Sequence, residues 1–197
     1  MSPDRVIVAG LLSAGIAVLG GYALSQSAVL AQEAKDGPGP NLVIEVAGKA
    51  NGEVVIDLLP DVAPKHAERL VQLAKEGAYD GVQFHRVIEG FMAQTGDVEF
   101  GKGDSMGRAG MGGSSYPDLP AEFSDIAFAR GVVGMARAAS PDSANSQFFI
   151  MFDQGDFLNG QYTVVGRVVK GMDVVDKIAR GEPPRKPDIM KTVTVSK

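Results

Sequence analysis

Residues 84–97, FHRVIEGFMAQTGD, are the stretch that most limits how this chain can fold. The first five residues have the β-branched and aromatic content of a strand. Gly90 breaks the run, and Phe91-Met92-Ala93-Gln94 resumes it. On regular strand geometry side chains alternate between faces, which places Phe84, Arg86 and Ile88 together and Met92 with Gln94. Phe91 then points the other way unless the break at Gly90 re-aims it. The anomaly is Arg86, a cation set among apolar residues. Either its head snorkels to water from a strand edge, or it is held there for a purpose. His85 falls on the opposite face and reads as structural.

The flanking segments supply more strands than helices. Leu42, Ile44 and Val46 alternate with Val43 and Glu45, and Val54, Ile56 and Leu58 continue beyond an Asn51-Gly52 turn signal. Residues 131–136, 146–152, 162–169 and 189–195 read as further strands. Gln147 repeats the anomaly of Arg86, a polar group in an aromatic strand, on one face with Phe149 and Met151. Pro64 marks a helix start, Ala67, Leu70, Val71 and Ala74 form its apolar stripe, and Gly77 ends it. His66 lies off that stripe and reads as a solvated surface residue. Residues 172–180 form a second, short helix. The glycine-rich segment 101–113 lacks the Gly-Lys-Ser/Thr ending of a phosphate loop and reads as a long surface loop. Many strands with two well-separated helices point to an antiparallel barrel or sandwich closed by helices.

Composition removes several functions. There is no cysteine, so disulfides, thiolate catalysis and cysteine-ligated metals are excluded, and two histidines make a histidine-built metal site unattractive. A net charge of −5 without a basic run argues against nucleic acid.

Residues 6–24 carry no charge and follow Arg5, and the small residues of 27–31 offer a cleavage point after Ala31. The run borders on the roughly 18 apolar residues of a spanning helix. Residues 1–31 are therefore expected to be a signal peptide or a retained N-terminal anchor. In a bacterium either places the remainder on the periplasmic side, touching the membrane only through an uncleaved segment. Residues 32–40, ending Gly37-Pro38-Gly39-Pro40, read as a flexible linker, and the folded domain as 41–197.

Residues 84–97 resemble the signature of the cyclophilins, the peptidyl-prolyl cis-trans isomerases. The likeness extends to Tyr79-Asp80-Gly81, Met135-Ala136, Ser146-Gln147-Phe148-Phe149-Ile150, Phe157-Leu158-Asn159-Gly160 and Val165-Gly166-Arg167-Val168. It implies a mainly β fold, a closed eight-stranded antiparallel β-barrel capped by two α-helices, with the binding groove on its outer face. It also implies a monomer without cofactor or metal that acts on proline-containing polypeptides. Carried over by position, Arg86, Phe91 and Gln94 would be catalytic, with Gln94 beside Arg86. Met92, Phe149 and Leu158 would join Phe91 around the proline ring, Ala136 and Arg137 would offer backbone contacts, and Gln147 would hold the peptide backbone. Phe157 and Tyr162 would complete the substrate-binding residues; with Arg137 they stand where the eukaryotic pattern has tryptophan, histidine and asparagine. Phe157 loses an indole donor, which implies weak cyclosporin binding, whereas Tyr162 keeps an aromatic wall with a polar tip. If Phe91 and Met92 both serve the proline, the backbone around Gly90 must depart from a regular strand. A cyclophilin-like chaperone or binding module without essential turnover is the alternative reading.

Overall fold

The structure, a computed structural model, describes residues 35–103 and 107–196. The expected N-terminal signal or anchor helix lies outside the described residues. The domain is mainly β. Its strands are β1 (Asn41–Ala47), β2 (Gly52–Leu58), β3 (Val82–Gln83), β4 (Arg86–Ile88), β5 (Met92–Thr95), β6 (Val132–Met135), β7 (Phe148–Met151), β8 (Val164–Lys170) and β9 (Ile189–Ser196). Helix α1 is Pro64–Lys75, helix α2 is Met172–Val175, and Asp156–Leu158 forms a 3-10 turn.

The strands make one sheet in the order β3-β9-β1-β2-β8-β6-β7-β5-β4, and the pairings are antiparallel. This corrects the closed eight-stranded barrel in two respects: the sheet has nine strands, and its ladder does not close. The reason lies in residues 82–88. One chain segment supplies both edge strands, β3 and β4, separated only by Phe84-His85, and a chain cannot pair laterally with its own continuation. Residues 181–190 cross this seam instead. Phe84 N–H donates to Asp188 O at 2.9 Å, and Val87 and Gly181 exchange hydrogen bonds at 2.8 and 2.9 Å.

Alternation along the strands divides the apolar residues between two clusters. Leu42, Ile44, Ile56, Ala93, Phe148 and Ile150 belong to the main core. Met92, Phe149 and Met151, from alternate positions of β5 and β7, turn to the other face and join Phe128, Leu158 and Val164 in a second cluster. β5 and β7 are thus apolar on both faces, which is why β7 is buried throughout. The second cluster is the floor of the site described below.

Helix α1 begins on Pro64 and turns Ala67, Leu70, Leu73 and Ala74 inward. His66 is fully buried, not solvated as its place off the stripe suggested. Glu122, from a distant loop, accepts from the Lys65 and His66 amides at 3.2 Å each and lies 2.6 Å from His66 Nδ1. A carboxylate satisfying free amides at a helix start is favourable on hydrogen-bonding and dipole grounds, and it draws the imidazole in with it. The second helix ends at Val175, sooner than expected, although Val174, Val175 and Ile178 are all buried.

Candidate active site

The site is built on the β4–β5 hairpin. Residues 89–91 form its turn, closed by Phe91 N–H to Ile88 O at 3.1 Å. Gly90 has φ +68°, a left-handed conformation that glycine adopts without steric cost. The turn re-aims Phe91 so that it packs with Met92 against the second cluster, a departure from regular strand geometry at Gly90 that lets the two side chains share a face. The upstream face assignment needs correction. The chain leaves strand geometry at Phe84-His85, so Phe84 enters the main core while Arg86, two residues on, faces out.

Across the hairpin Arg86 is paired with Gln94, and Gln94 in turn with Phe149 of β7. Arg86 Nη1 donates to Gln94 Oε1 at 3.4 Å, and Arg86 Nε donates to Glu182 Oε2 at 2.9 Å. Gln94 Nε2 donates to Gln147 Oε1 at 2.9 Å, and Gln147 Nε2 donates to the Gly110 and Gly112 carbonyls at 3.0 and 2.8 Å. Each amide orientation follows from the one before it, because guanidinium has only donors.

The network ends on Asp97, which is fully buried. Its Oδ2 accepts from Gly110 and Gly112 N–H at 2.7 and 3.0 Å, and its Oδ1 from Glu99 and Phe100 N–H at 3.1 and 2.8 Å. The glycine-rich segment, expected as a surface loop, is therefore folded onto the site at Gly110 and Gly112. His85 lies against it: a Cβ on Gly110 would come within 3.0 Å of the imidazole. Burial holds the His85 pKa below its usual value, with Asp97 opposing the shift.

Beside Arg86 is a pocket of about 120 Å³ lined by Arg86, Phe91, Met92, Gln94, Ala136, Arg137, Phe149, Leu158 and Tyr162. Phe149 is stacked on Phe128 at 5.8 Å between centroids and meets Tyr162 edge-on at 5.9 Å. Gly134 makes the stack possible, because a Cβ there would approach Phe149 Cζ to 2.5 Å and Phe128 Cε1 to 2.6 Å. A larger groove of about 560 Å³ adjoins the pocket, and Gln94, Ala136 and Arg137 line both. Gln147 lines the groove and not the pocket. Phe157 is 65% exposed and lies outside both linings, its ring 5.4 Å from that of Phe91.

Arg137 and Ala136 sit between the two spaces. The Arg137 guanidinium lies 4.4 Å above the Tyr162 ring and donates to the carbonyls of Gln161, Ala138 and Ala139. It therefore ties two loops together. The Ala136 N–H is already committed to Gln147 O at 2.9 Å, which leaves its carbonyl as the backbone group to offer a ligand.

Two contributors escaped the sequence reading. Asp97 stands inside the signature, but its spacing gives no hint that it collects four amides. Glu182 is 96 residues from Arg86 in sequence, in a proline-flanked turn that no periodicity links to the hairpin.

With this geometry the fold and site define a protein that can place a guanidinium beside a small pocket walled by Phe91, Met92, Phe149 and Leu158. The family described as cyclophilin type peptidyl-prolyl cis-trans isomerase/CLD matches residues 42–197. The chain belongs to that family, and its activity is peptidyl-prolyl cis-trans isomerisation. A probable peptidyl-prolyl cis-trans isomerase of Brucella suis is 60% identical over 162 residues, covering 81% of each chain. A peptidyl-prolyl cis-trans isomerase of Acinetobacter baylyi is 37% identical, over 82% of this chain and 79% of its own. Among solved structures, cyclophilin AquaCyp293 from Hirschia baltica superposes with a TM-score of 0.69 at 27% identity, covering 87% of this chain and 79% of its own. A Cryptosporidium parvum cyclophilin crystallised in the presence of the dipeptide Ala-Pro gives the same TM-score at 24% identity, over 80% of this chain and 99% of its own.

Proposed function

We propose that Arg86 drives isomerisation of Xaa-Pro bonds in polypeptides whose proline ring occupies the pocket of Phe91, Met92, Phe149 and Leu158. The observation that carries this reading is the single pocket that brings these residues beside the guanidinium. Rotation about an amide makes and breaks no covalent bond, so it requires no nucleophile, metal or general base. The obstacle is amide resonance, a barrier of about 18–20 kcal/mol in ordinary peptides. As the bond twists, the prolyl nitrogen pyramidalises and gains a lone pair. A donor beside that nitrogen binds the twisted state more strongly than the planar one, and only such a difference lowers a barrier. Arginine suits this role because it stays charged and its fork can be anchored at one end while the other donates.

The pocket does the complementary work. It holds the ring while the N-terminal side of the peptide turns, and its apolar walls keep water from competing for the guanidinium. Gln94 fixes Arg86, and Gln147 meets the peptide backbone in the adjoining groove. Proline-containing chains are the substrates, a reading consistent with the Ala-Pro used with the Cryptosporidium cyclophilin. With phenylalanine at 157 cyclosporin is a weak ligand.

The clients are exported proteins. Support comes from the sequence, where the uncharged run 6–24 precedes the small residues of 27–31 and the linker 32–40. The domain 41–197 then works on the far side of the membrane, as a monomer. An isomerisation assay on a short Xaa-Pro peptide, run beside an aggregation-suppression assay on wild type and Arg86→Ala, tests the proposal. Loss of the first activity in the variant supports an enzyme. Full isomerase activity in Arg86→Ala overturns the proposed role, and suppression without turnover in wild type identifies a binding module.

A further inference from the structure

We propose that Glu182 is a positioning residue for the isomerase reaction: it holds the Arg86 guanidinium from the side opposite Gln94 and so aims its remaining donors into the pocket. The inference rests on the Arg86 reading above. The Val87–Gly181 bridge extends the hairpin edge by one more antiparallel partner. Counting outward from that bridge, antiparallel register sets Glu182 across from Arg86. Arg180 lies on the other side of the bridge, where its Nε donates to Glu89 Oε2 at 2.7 Å. Residues 180–182 are thus fixed along β4 by two backbone hydrogen bonds and by an ion pair on either side.

The division of donors on Arg86 gives this its chemical meaning. Nε is taken by Glu182 at 2.9 Å, and Nη1 reaches Gln94 at 3.4 Å. Nη2 has no protein acceptor among the described residues. The shorter bond is the one to Glu182, so the carboxylate, more than the amide, sets the tilt of the planar fork. A guanidinium held at its Nε edge loses rotamer freedom before the substrate arrives, and catalysis that depends on a preorganised donor gains from that. Both side chains remain about half exposed, at 41% and 52%. An exposed pair of this kind adds little to folding stability, so a kinetic effect is separable from a structural one.

The test compares kcat, KM and melting temperature on an Xaa-Pro peptide for wild type, Glu182→Ala, Glu182→Gln, Arg86→Ala and the Glu182→Ala/Arg86→Ala double variant. Glu182→Ala is expected to lower kcat roughly 3- to 10-fold, within the coupling range of contacting residues, with KM within about 2-fold. Its melting temperature stays within about 4 °C of wild type. Glu182→Gln keeps an acceptor oxygen and recovers kcat to within about 2-fold of wild type. In the Arg86→Ala background removal of Glu182 has no further effect. A wild-type kcat in Glu182→Ala beside a crippled Arg86→Ala overturns the role of Glu182 and leaves that of Arg86 standing. Near-wild-type activity in Arg86→Ala overturns both, and an equal Glu182→Ala loss in the double variant places the effect outside Arg86.

Discussion

Gln94 faces Arg86 across the β4–β5 hairpin and simultaneously donates to Gln147, which lines the groove beside it. One amide therefore links the guanidinium to the side chain proposed to meet the peptide. Gln94→Ala removes both contacts while leaving the apolar walls of the pocket, Phe91, Met92, Phe149 and Leu158, in place. Given a neutral acceptor at 3.4 Å, the expected cost is the lower part of the hydrogen-bond range, a loss of roughly 3- to 10-fold in kcat/KM. Steady-state isomerisation of wild type and variant measures it. A change below 2-fold would show that Arg86 holds its pose without Gln94.

Asp97 is a structural prediction. It is buried and accepts four backbone amides from residues 99–112. Asp97→Ala leaves those donors without their acceptor, and stranded buried donors cost about 1–3 kcal/mol each where water cannot reach them. Partial rehydration of the loop limits the total, so the expected destabilisation is about 2–5 kcal/mol by denaturant unfolding. Activity should fall as well, because Gly110 and Gly112 hold Gln147.

His85 predicts a pH dependence. Its folded pKa is depressed, chiefly by burial, from an unfolded value of about 6.5. Below that value the unfolded chain takes up a proton that the folded chain resists, so stability is retained at higher pH and lost as pH falls. The slope contributed by one such proton approaches about 1.4 kcal/mol per pH unit. Unfolding free energies between pH 7 and 5 should show a shallower decline in His85→Gln than in wild type. An unchanged slope would assign the acid sensitivity to other groups.

Much of the fold is legible in the sequence, and the failures fall where the chain leaves regular strand geometry or where distant segments meet. Alternation correctly separated Met92 and Gln94 from Ala93, and Phe149 from Phe148, because those positions lie in regular strands. It failed at Phe84 and Arg86, where two non-strand residues reset the facing. His66 was misread because its partner, Glu122, lies 56 residues away. The count and closure of the strands were missed because residues 82–88 serve two edges of one sheet. Glu182 was invisible for the reason His66 was misplaced: long-range pairing of polar residues leaves no periodic trace.

Phe157 gives a fluorescent test of the ligand expectation. The chain has no tryptophan, so Phe157→Trp introduces a lone indole reporter. The position is exposed and beside Phe91, so the larger ring is accommodated without repacking the pocket. Cyclosporin affinity should rise roughly 2- to 12-fold, the worth of one added net hydrogen bond. Turnover should change by less than about 2-fold, since Phe157 lines neither the pocket nor the groove.

The central claim is that the guanidinium of Arg86 lowers the barrier. The most direct measurement is kcat/KM for Arg86→Ala on a short Xaa-Pro peptide, with circular dichroism and melting temperature confirming the fold. By analogy with removal of one preorganised donor, the loss should be about 2.7–4 kcal/mol of transition-state stabilisation, or roughly 10²- to 10³-fold. A folded Arg86→Ala that retains most of the wild-type kcat/KM would contradict the account.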